Sequence, residues 1–208
     1  MIGIIDYGVG NLFSLSSSLA YLGVESRITG DPEMLRKADG IILPGVGAFE
    51  DAMEKLEATG LVPLLKEELS REKPMLGICL GMQLLFQESL EYGSHAGLGF
   101  LEGKVVPIPA DLPDPTGEGT LKIPHIGWNQ LEISRDDPLF RYMTEENYVY
   151  YVHSYYAQAA QENILATSPY GIPITGVVRK GSLVGTQFHP EKSGDTGLRL
   201  LKAFVESQ

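Results

Sequence analysis

Short apolar runs alternate with amphipathic segments in the first half of the chain, and this pattern predicts alternating strands and helices. The apolar runs lie at 2–5, 24–28, 40–43 and immediately before Cys79. The helical patterns lie at 12–22, 32–37, 49–58 and 61–70, and Asn11 is the predicted cap of the first helix. Strands that alternate with helices form a mainly parallel sheet with right-handed crossovers. The pattern therefore predicts an α/β fold of three layers, a central sheet flanked by helices.

The second half of the chain has little helical periodicity until its end. Apolar and β-branched runs at 123–133, 148–155, 164–168, 174–179 and 182–188 predict strands, and 197–207 predicts a closing amphipathic helix. Strands joined by turns rather than helices predict an antiparallel extension of the sheet. The polar segment 110–121 is predicted to be a surface loop, to which we assign no function. No linker or repeat divides the chain, so residues 1–208 are predicted to form one domain.

Composition narrows the function classes. The chain has 208 residues, of which 43% are hydrophobic and 21% are charged, as in an ordinary soluble protein. A net charge of −11 disfavours nucleic acid as a partner. A single cysteine cannot form an internal disulfide and suits a reducing compartment. The sequence shows neither a basic leader nor an apolar run of membrane-spanning length, so the cytoplasm is expected and membrane attachment is not.

That one cysteine, Cys79, lies between Gly77 and Gly81, directly after an apolar strand and before a predicted helix. A nucleophile between two glycines at this spacing is typical of a sharp strand-to-helix turn. Such a turn strains the nucleophile's backbone and packs neighbouring chain so closely that a Cβ would clash at the glycines. A helix N-terminus also favours the thiolate, which is the reactive form. Cys79 is therefore the predicted nucleophile, and the alternative is a buried structural cysteine.

A base for this nucleophile is predicted near the end of the chain, in Phe188-His189-Pro190-Glu191. Proline at 190 favours an extended backbone at His189. Side chains at i and i+2 of an extended chain point the same way, so His189 and Glu191 share a face. The carboxylate can then hold one imidazole nitrogen while the other takes the thiol proton. We therefore predict a catalytic triad of Cys79, His189 and Glu191.

The motifs Gly-Ile-Cys-Leu-Gly-Met-Gln at 77–83 and Phe-His-Pro-Glu at 188–191 resemble those of the class I glutamine amidotransferases. In that family the cysteine attacks the carboxamide of glutamine and ammonia is released. Four further stretches, at 6–11, 43–49, 127–129 and 152–155, resemble the members that serve imidazole glycerol phosphate synthases. The resemblance extends over essentially the whole chain.

This resemblance, together with the chemistry of amide hydrolysis, implies a set of glutamine-binding residues. An oxyanion forms when the thiolate attacks, and backbone N–H groups of Leu80 and of the loop Gly45-Val46-Gly47 are the predicted donors. Gln83 and Glu91 are implied to contact the substrate, with Glu91, placed at the end of the helix after Cys79, holding the α-amino group. His153, Ser154 and Tyr155 are implied to line the pocket. A second-base role for His153 is disfavoured, since a histidine inside a strand usually packs.

The resemblance also implies a partner. The ammonia would pass to a (β/α)₈-barrel cyclase subunit that forms a heterodimer with this chain. The cyclase would make imidazole glycerol phosphate and an aminoimidazole carboxamide ribotide in histidine biosynthesis. No cofactor and no metal ion are predicted for this chain.

Three alternatives stay open. The first is the glutaminase subunit of a pyridoxal phosphate synthase, which shares the triad but not the stretches at 6–11 and 127–129. The second is a non-catalytic module that binds glutamine or a partner, although such a copy would be expected to lose part of the triad. The third is a cysteine hydrolase that shares only the turn at Cys79, which would leave His189-Pro190-Glu191 unexplained.

Overall fold

The computed structural model describes residues 1–115, 117 and 119–207 of the chain. Its strands are β1 (Ile2–Ile5), β2 (Ser26–Thr29), β3 (Gly40–Leu43), β4 (Met75–Ile78), β5 (Phe86–Ser89), β6 (His95–Ala96), β7 (Leu101–Pro107), β8 (His125–Gln130), β9 (Glu132–Ile133), β10 (Tyr148–His153), β11 (Tyr155–Ala159), β12 (Ile164–Tyr170), β13 (Ile172–Lys180) and β14 (Leu183–Thr186). Its α-helices are α1 (Leu12–Tyr21), α2 (Pro32–Lys37), α3 (Phe49–Ala58), α4 (Val62–Ser70), α5 (Leu80–Leu84) and α6 (Gly194–Val205).

The main sheet has the strand order β2-β1-β3-β4-β14-β13-β12-β9. The pairs from β2 to β14 are parallel, and the pairs from β14 to β9 are antiparallel. The predicted fold class, a mainly parallel α/β sheet with an antiparallel extension from the second half, is confirmed.

The core lies on both faces of this sheet, because its central strands are buried throughout. Successive residues of a strand point to opposite faces, so Ile41 and Ile42 belong to two different hydrophobic clusters. Residues of α3 and α4 complete one cluster, and residues of α1 and α6 complete the other. Helices therefore cover both faces, and the predicted three layers are present.

Two smaller sheets were not predicted. One pairs β10 with β8, and the other has the order β11-β7-β5-β6. Strand β5 occupies a stretch where the predicted helix after Cys79 continued to Glu91, but α5 ends at Leu84. The predicted capping by Asn11 is also wrong in detail, because its side chain makes no hydrogen bond to the start of α1.

The polar segment 110–121 is mostly exposed turn, as predicted, with an isolated bridge between Pro113 and Thr120. Thr116 and Glu118 of this segment lie outside the described residues. In the described part of the chain, no helix is long and apolar enough to cross a membrane.

Parallel strands bring their carboxyl ends to one edge of the sheet, and this edge is where active sites of α/β proteins form. Strands β3, β4 and β14 are neighbours and end immediately before Pro44, Cys79 and Gln187. The glycine loop, the cysteine and the histidine motif, which are far apart in sequence, therefore meet at this edge.

Candidate active site

Cys79 lies at the sharp turn between β4 and α5, with φ 54° and ψ −113°. Its φ is in the left-handed region, which is uncommon for a residue other than glycine and marks a strained backbone. The backbone N–H of Cys79 donates to the carbonyl of Thr186 on β14 at 2.7 Å, which fixes the turn against the sheet. The predicted strained turn at Cys79 is confirmed.

The glycines around Cys79 are required by close backbone contacts. A Cβ on Gly81 would lie 2.0 Å from the carbonyl oxygen of Leu43, and one on Gly77 would lie 2.8 Å from that of Gly81. A Cβ on Gly45 would lie 2.5 Å from the backbone nitrogen of Gly81. The loop after β3 is therefore packed directly on the start of α5. This contact brings the two predicted sources of oxyanion donors, Leu80 and the loop 45–47, side by side.

His189 and Glu191 are paired as the sequence predicted. Imidazole Nδ1 lies 2.8 Å from Oε1 of Glu191, and both side chains are buried. The backbone at His189 is extended, with φ −95° and ψ 100°, but Pro190–Lys192 forms a single 3₁₀ turn, so the predicted extended backbone does not continue to Glu191. Hydrogen bonds fix this backbone from both sides, since its N–H donates to Tyr150 and its carbonyl accepts from the hydroxyl of Ser193.

The charge of His189 follows from its neighbours. Burial alone would lower the pKa of His189, but hydrogen bonds with Cys79 and Glu191, together with their charges, raise it to about 10. His189 is therefore protonated at neutral pH and has Glu191 as a counter-charge. A protonated imidazole beside the sulfur is ready to donate its proton to a leaving group.

A cavity of about 340 Å³ opens over the sulfur. The residues that line it are Val46, Gly47, Cys79, Leu80, Gln83, Glu91, Tyr92, Pro124, Val152, His153, Ser154, Tyr155 and His189. Of the site residues predicted from the sequence, only Gly45 and Glu191 are missing from this lining. Both lie directly behind it, Gly45 against the backbone of α5 and Glu191 against the imidazole.

Glu91 reaches the cavity from a different element than predicted. It follows β5 instead of ending a helix, because the chain leaves α5 at Leu84 and pairs with β7. Its carboxylate accepts a hydrogen bond of 2.6 Å from the backbone N–H of Phe49, the first residue of α3. This contact holds a negative charge at the rim of the cavity.

Sequence reasoning missed Gln187, which is fully buried beside Cys79. Its amide nitrogen lies 3.8 Å from Sγ of Cys79, and its amide oxygen accepts a hydrogen bond from Gln83 at 3.0 Å. The strand spacing rule does not place Gln187 there, because residues 187 and 188 form a bend after β14. Tyr92 and Pro124 were missed as lining residues, and no motif marked them. Val152 lies in the stretch 152–155 but was not predicted to line the cavity.

His153 is uncharged and held by the backbone. Its Nδ1 lies 2.8 Å from the carbonyl oxygen of Tyr155. Burial lowers the pKa of His153 to about 4, assisted by the charge of His189 and opposed by the hydrogen bond to Tyr155. A base that is committed to a carbonyl in this way does not serve the sulfur, which agrees with the expectation that His153 packs.

A strained cysteine on a strand-to-helix turn, a buried His–Glu pair and an adjoining cavity at the carboxyl edge of a parallel sheet are typical of α/β enzymes that use a cysteine nucleophile. The profile of the family described as "Glutamine amidotransferase class-I" matches residues 3–207. The chain therefore belongs to the class I glutamine amidotransferase family.

Relatives within this family carry a more specific name. The chain is 50% identical over 206 residues to "Imidazole glycerol phosphate synthase subunit HisH" of Geobacillus kaustophilus (strain HTA426), covering 99% of this chain and 96% of the relative. It is 48% identical over 204 residues to the subunit of the same name from Bacillus cereus (strain G9842), covering 98% and 93% of the two chains.

Solved structures support the fold. The chain matches a structure described as "Crystal structure of glutamine amidotransferase" with a TM-score of 0.75 and 21% identity, covering 99% of this chain and 97% of the other. It matches "Structure of PurLQS from Thermotoga maritima" with the same TM-score and 18% identity, again covering 99% and 97%. At these identities the likeness concerns the fold alone.

Proposed function

We propose that this chain is the glutaminase subunit of an imidazole glycerol phosphate synthase and that it supplies ammonia to a cyclase subunit. The observation that carries the glutaminase chemistry is the buried His189–Glu191 pair beside Cys79 at the base of an open cavity. The observation that carries the synthase assignment is the likeness over nearly the full length of relatives named as that subunit.

The proposed reaction starts with Cys79 and a glutamine bound in the cavity. The thiolate attacks the side-chain carbonyl carbon, and a C–S bond forms as the C=O electrons move onto oxygen. Backbone N–H groups of Leu80 and of the loop 45–47 stabilise this oxyanion. The oxyanion collapses and the C–N bond breaks, while His189 donates a proton to the departing ammonia.

The second half of the reaction releases glutamate. His189, now neutral, removes a proton from a water molecule, which attacks the thioester carbon. Collapse of the second oxyanion breaks the C–S bond, frees glutamate and restores the thiolate beside protonated His189. Glu191 holds the imidazole through both halves of the reaction, so that Nε2 faces the sulfur and the substrate.

The partner in this proposal is a (β/α)₈-barrel cyclase that forms a heterodimer with residues 1–208, which act as one domain in the cytoplasm. The cyclase binds the nucleotide substrate and receives ammonia through an internal passage. Its products are imidazole glycerol phosphate and an aminoimidazole carboxamide ribotide.

The test of the partner is glutamate release by the purified chain, with and without a purified cyclase subunit of an imidazole glycerol phosphate synthase and its nucleotide. We expect cyclase and nucleotide together to raise the rate of glutamate release, because ligands that bind one conformation better shift the protein toward that conformation. The Cys79→Ala variant is the blank for non-enzymatic hydrolysis.

The other outcomes separate the alternatives. Hydrolysis that depends on Cys79 but ignores this cyclase would contradict the synthase assignment and favour the glutaminase subunit of a pyridoxal phosphate synthase. If no condition gives Cys79-dependent hydrolysis, the chain is a non-catalytic module that binds glutamine or a partner.

The Glu91→Gln variant tests how glutamine is held. The glutamine side chain introduced at position 91 keeps an oxygen that can accept from the N–H of Phe49, but it lacks the negative charge that the α-amino group of the substrate would meet. A hydrogen bond to a charged group contributes about 1.5–3 kcal/mol, so we expect KM for glutamine to rise roughly 10–100-fold.

Glutaramate, which lacks the α-amino group, is the matched control substrate for this variant. Wild type and Glu91→Gln should hydrolyse it with similar kcat/KM values, because neither enzyme can use the missing contact. An equal loss with both substrates would show instead that Glu91 acts only by holding the start of α3.

A further inference from the structure

A chain of hydrogen bonds leads away from the cavity through two buried histidines. The Nδ1 atom of His153 lies 2.8 Å from the carbonyl oxygen of Tyr155, and its Nε2 lies 3.0 Å from Nδ1 of His125. The Nε2 atom of His125 lies 3.3 Å from the amide nitrogen of Asn129, which also donates to the carbonyl of Pro169 at 2.8 Å. Both histidines are buried and Asn129 is half-buried.

The chemistry of these groups fixes the direction of every bond. A carbonyl oxygen only accepts, so Nδ1 of His153 carries the proton and donates to Tyr155. In a neutral imidazole the other nitrogen then accepts, so His125 donates from its own Nδ1. The Nε2 atom of His125 must therefore accept, and an amide nitrogen is the donor that it requires. Asn129 supplies this donor and uses its second N–H for Pro169.

The surroundings keep both rings uncharged. His125 is stacked between the rings of Tyr151 and Tyr170, with centroid distances of 4.7 and 3.9 Å. Burial, assisted by the neighbouring His153, lowers the pKa of His125 to about 3. Each neutral ring has one donor and one acceptor, and each of these atoms has a partner.

The inner end of this series of hydrogen bonds, at Tyr155, forms part of the cavity wall. The carbonyl of Tyr155 also accepts a hydrogen bond from the amide of Gln83 at 2.9 Å. Gln83 uses the same amide nitrogen to reach Gln187, which in turn contacts Sγ of Cys79. The position of one carbonyl therefore depends on two sets of donors, one from the cysteine side and one from the histidines.

We propose that His125 and Asn129 are positioning residues for the substrate pocket. Asn129 fixes the tautomer of His125, His125 fixes that of His153, and His153 holds the Tyr155 carbonyl and the pocket wall from 153 to 155. The proposal rests on the proposed glutaminase function, since the wall is where glutamine is expected to bind. His125 lies outside the lining of this cavity, so its effect reaches the substrate only through His153.

The His125→Phe variant tests this proposal, because phenylalanine keeps an aromatic ring between Tyr151 and Tyr170 but removes both nitrogens. His153 then loses its donor, and we expect KM for glutamine to rise about ten-fold while kcat changes less than about three-fold. The His125→Asn variant places an amide N–H near the position of Nδ1 and should bring KM back to within about three-fold of wild type.

Alkylation of Cys79 by iodoacetamide is the control for folding in both variants. This small reagent needs the thiolate but not the pocket wall, so its rate should stay within about two-fold of wild type. An unchanged KM in His125→Phe would overturn the proposal. A higher KM accompanied by a lower kcat and slower alkylation, without rescue by asparagine, would also overturn the proposal, because this result would indicate a purely structural role.

The tautomers can be measured directly in the wild-type protein, whether or not the variants fold. The chain has four histidines, so their ring nitrogens can be assigned by ¹H–¹⁵N correlation spectroscopy. His125 and His153 should both be neutral at pH 7 with the proton on Nδ1. A proton on Nε2 of either ring would refute the proposed relay of hydrogen bonds that runs from Asn129 through His125 and His153 to Tyr155. This result does not depend on glutamine hydrolysis, so it separates a failure of the relay from a failure of the proposed function.

Discussion

The Cys79→Ala variant should release glutamate roughly 10⁴–10⁶-fold more slowly than wild type, measured with glutamine and a cyclase partner. The reason is that the proposed reaction has no second nucleophile. His153, a second histidine in the cavity lining, is neutral and donates its proton to Tyr155. The proposed oxyanion donors and the proposed glutamine pocket are backbone and side-chain groups that the substitution leaves in place.

The control for this variant is glutamine binding, which should persist because alanine keeps the Cβ and removes only the sulfur. Thermal unfolding should likewise remain cooperative. Hydrolysis by Cys79→Ala at more than about one hundredth of the wild-type rate would contradict the assignment of Cys79 as the nucleophile.

A comparison of Cys79→Ala with Cys79→Gly measures the strain at the turn. Both variants lack the sulfur and should be inactive, but only alanine must hold a Cβ at φ 54°. Relief of strain at a positive φ gives about 1 kcal/mol or more, so we expect the glycine variant to be the more stable of the two. At most other positions glycine is less stabilising than alanine, because glycine has more conformational freedom in the unfolded state than alanine.

The parts of this site that the sequence predicted are those fixed by local geometry. The glycine spacing around Cys79 indicates a turn that only small residues fit. Pro190 indicates an extended backbone at His189. Both are properties of a few consecutive residues. Parallel topology then brings the two motifs together, because β4 and β14 are neighbours that end at one edge of the sheet.

The parts that the sequence did not predict depend on distant pairing. Glu91 lines the cavity but was predicted to lie on a helix, because the apolar stretch after Cys79 fits a helical stripe. In the folded chain Phe86 pairs with Leu101, and this strand pairing overrides the local pattern. The chain of hydrogen bonds through the histidines was also hidden, since His125 and His153 meet only because β8 and β10 are antiparallel partners.

The Gly81→Ala variant should lose both stability and activity, although its sequence context suggests the opposite. Gly81 lies inside α5, and glycine in a helix is about 1 kcal/mol less favourable than alanine. Helix propensity alone therefore predicts that Gly81→Ala is more stable than wild type. The Cβ, however, would lie 2.0 Å from the carbonyl oxygen of Leu43, and backbone on both sides leaves no flexible side chain to move aside.

We expect this contact to outweigh propensity and to reduce the free energy of unfolding by about 3 kcal/mol, the upper end of typical overpacking costs. For a chain of this size that corresponds to a fall in Tm of roughly 6–12 °C. The displaced backbone carries Leu80 and the loop 45–47, so the oxyanion donors should separate. Loss of one such donor lowers kcat about 10²–10³-fold, and we expect this reduction in the fraction of the variant that stays folded.

The matched control is Gly60→Ala, which separates steric contact from the general cost of replacing a glycine. Gly60 has φ 72° at the end of α3, and a Cβ there would meet nothing within 4 Å. Its replacement should cost only the strain of a positive φ, about 1 kcal/mol, and should leave kcat unchanged. If Gly81→Ala were as active and as stable as Gly60→Ala, the close contact between β3 and α5 would not be what holds the oxyanion donors beside Cys79.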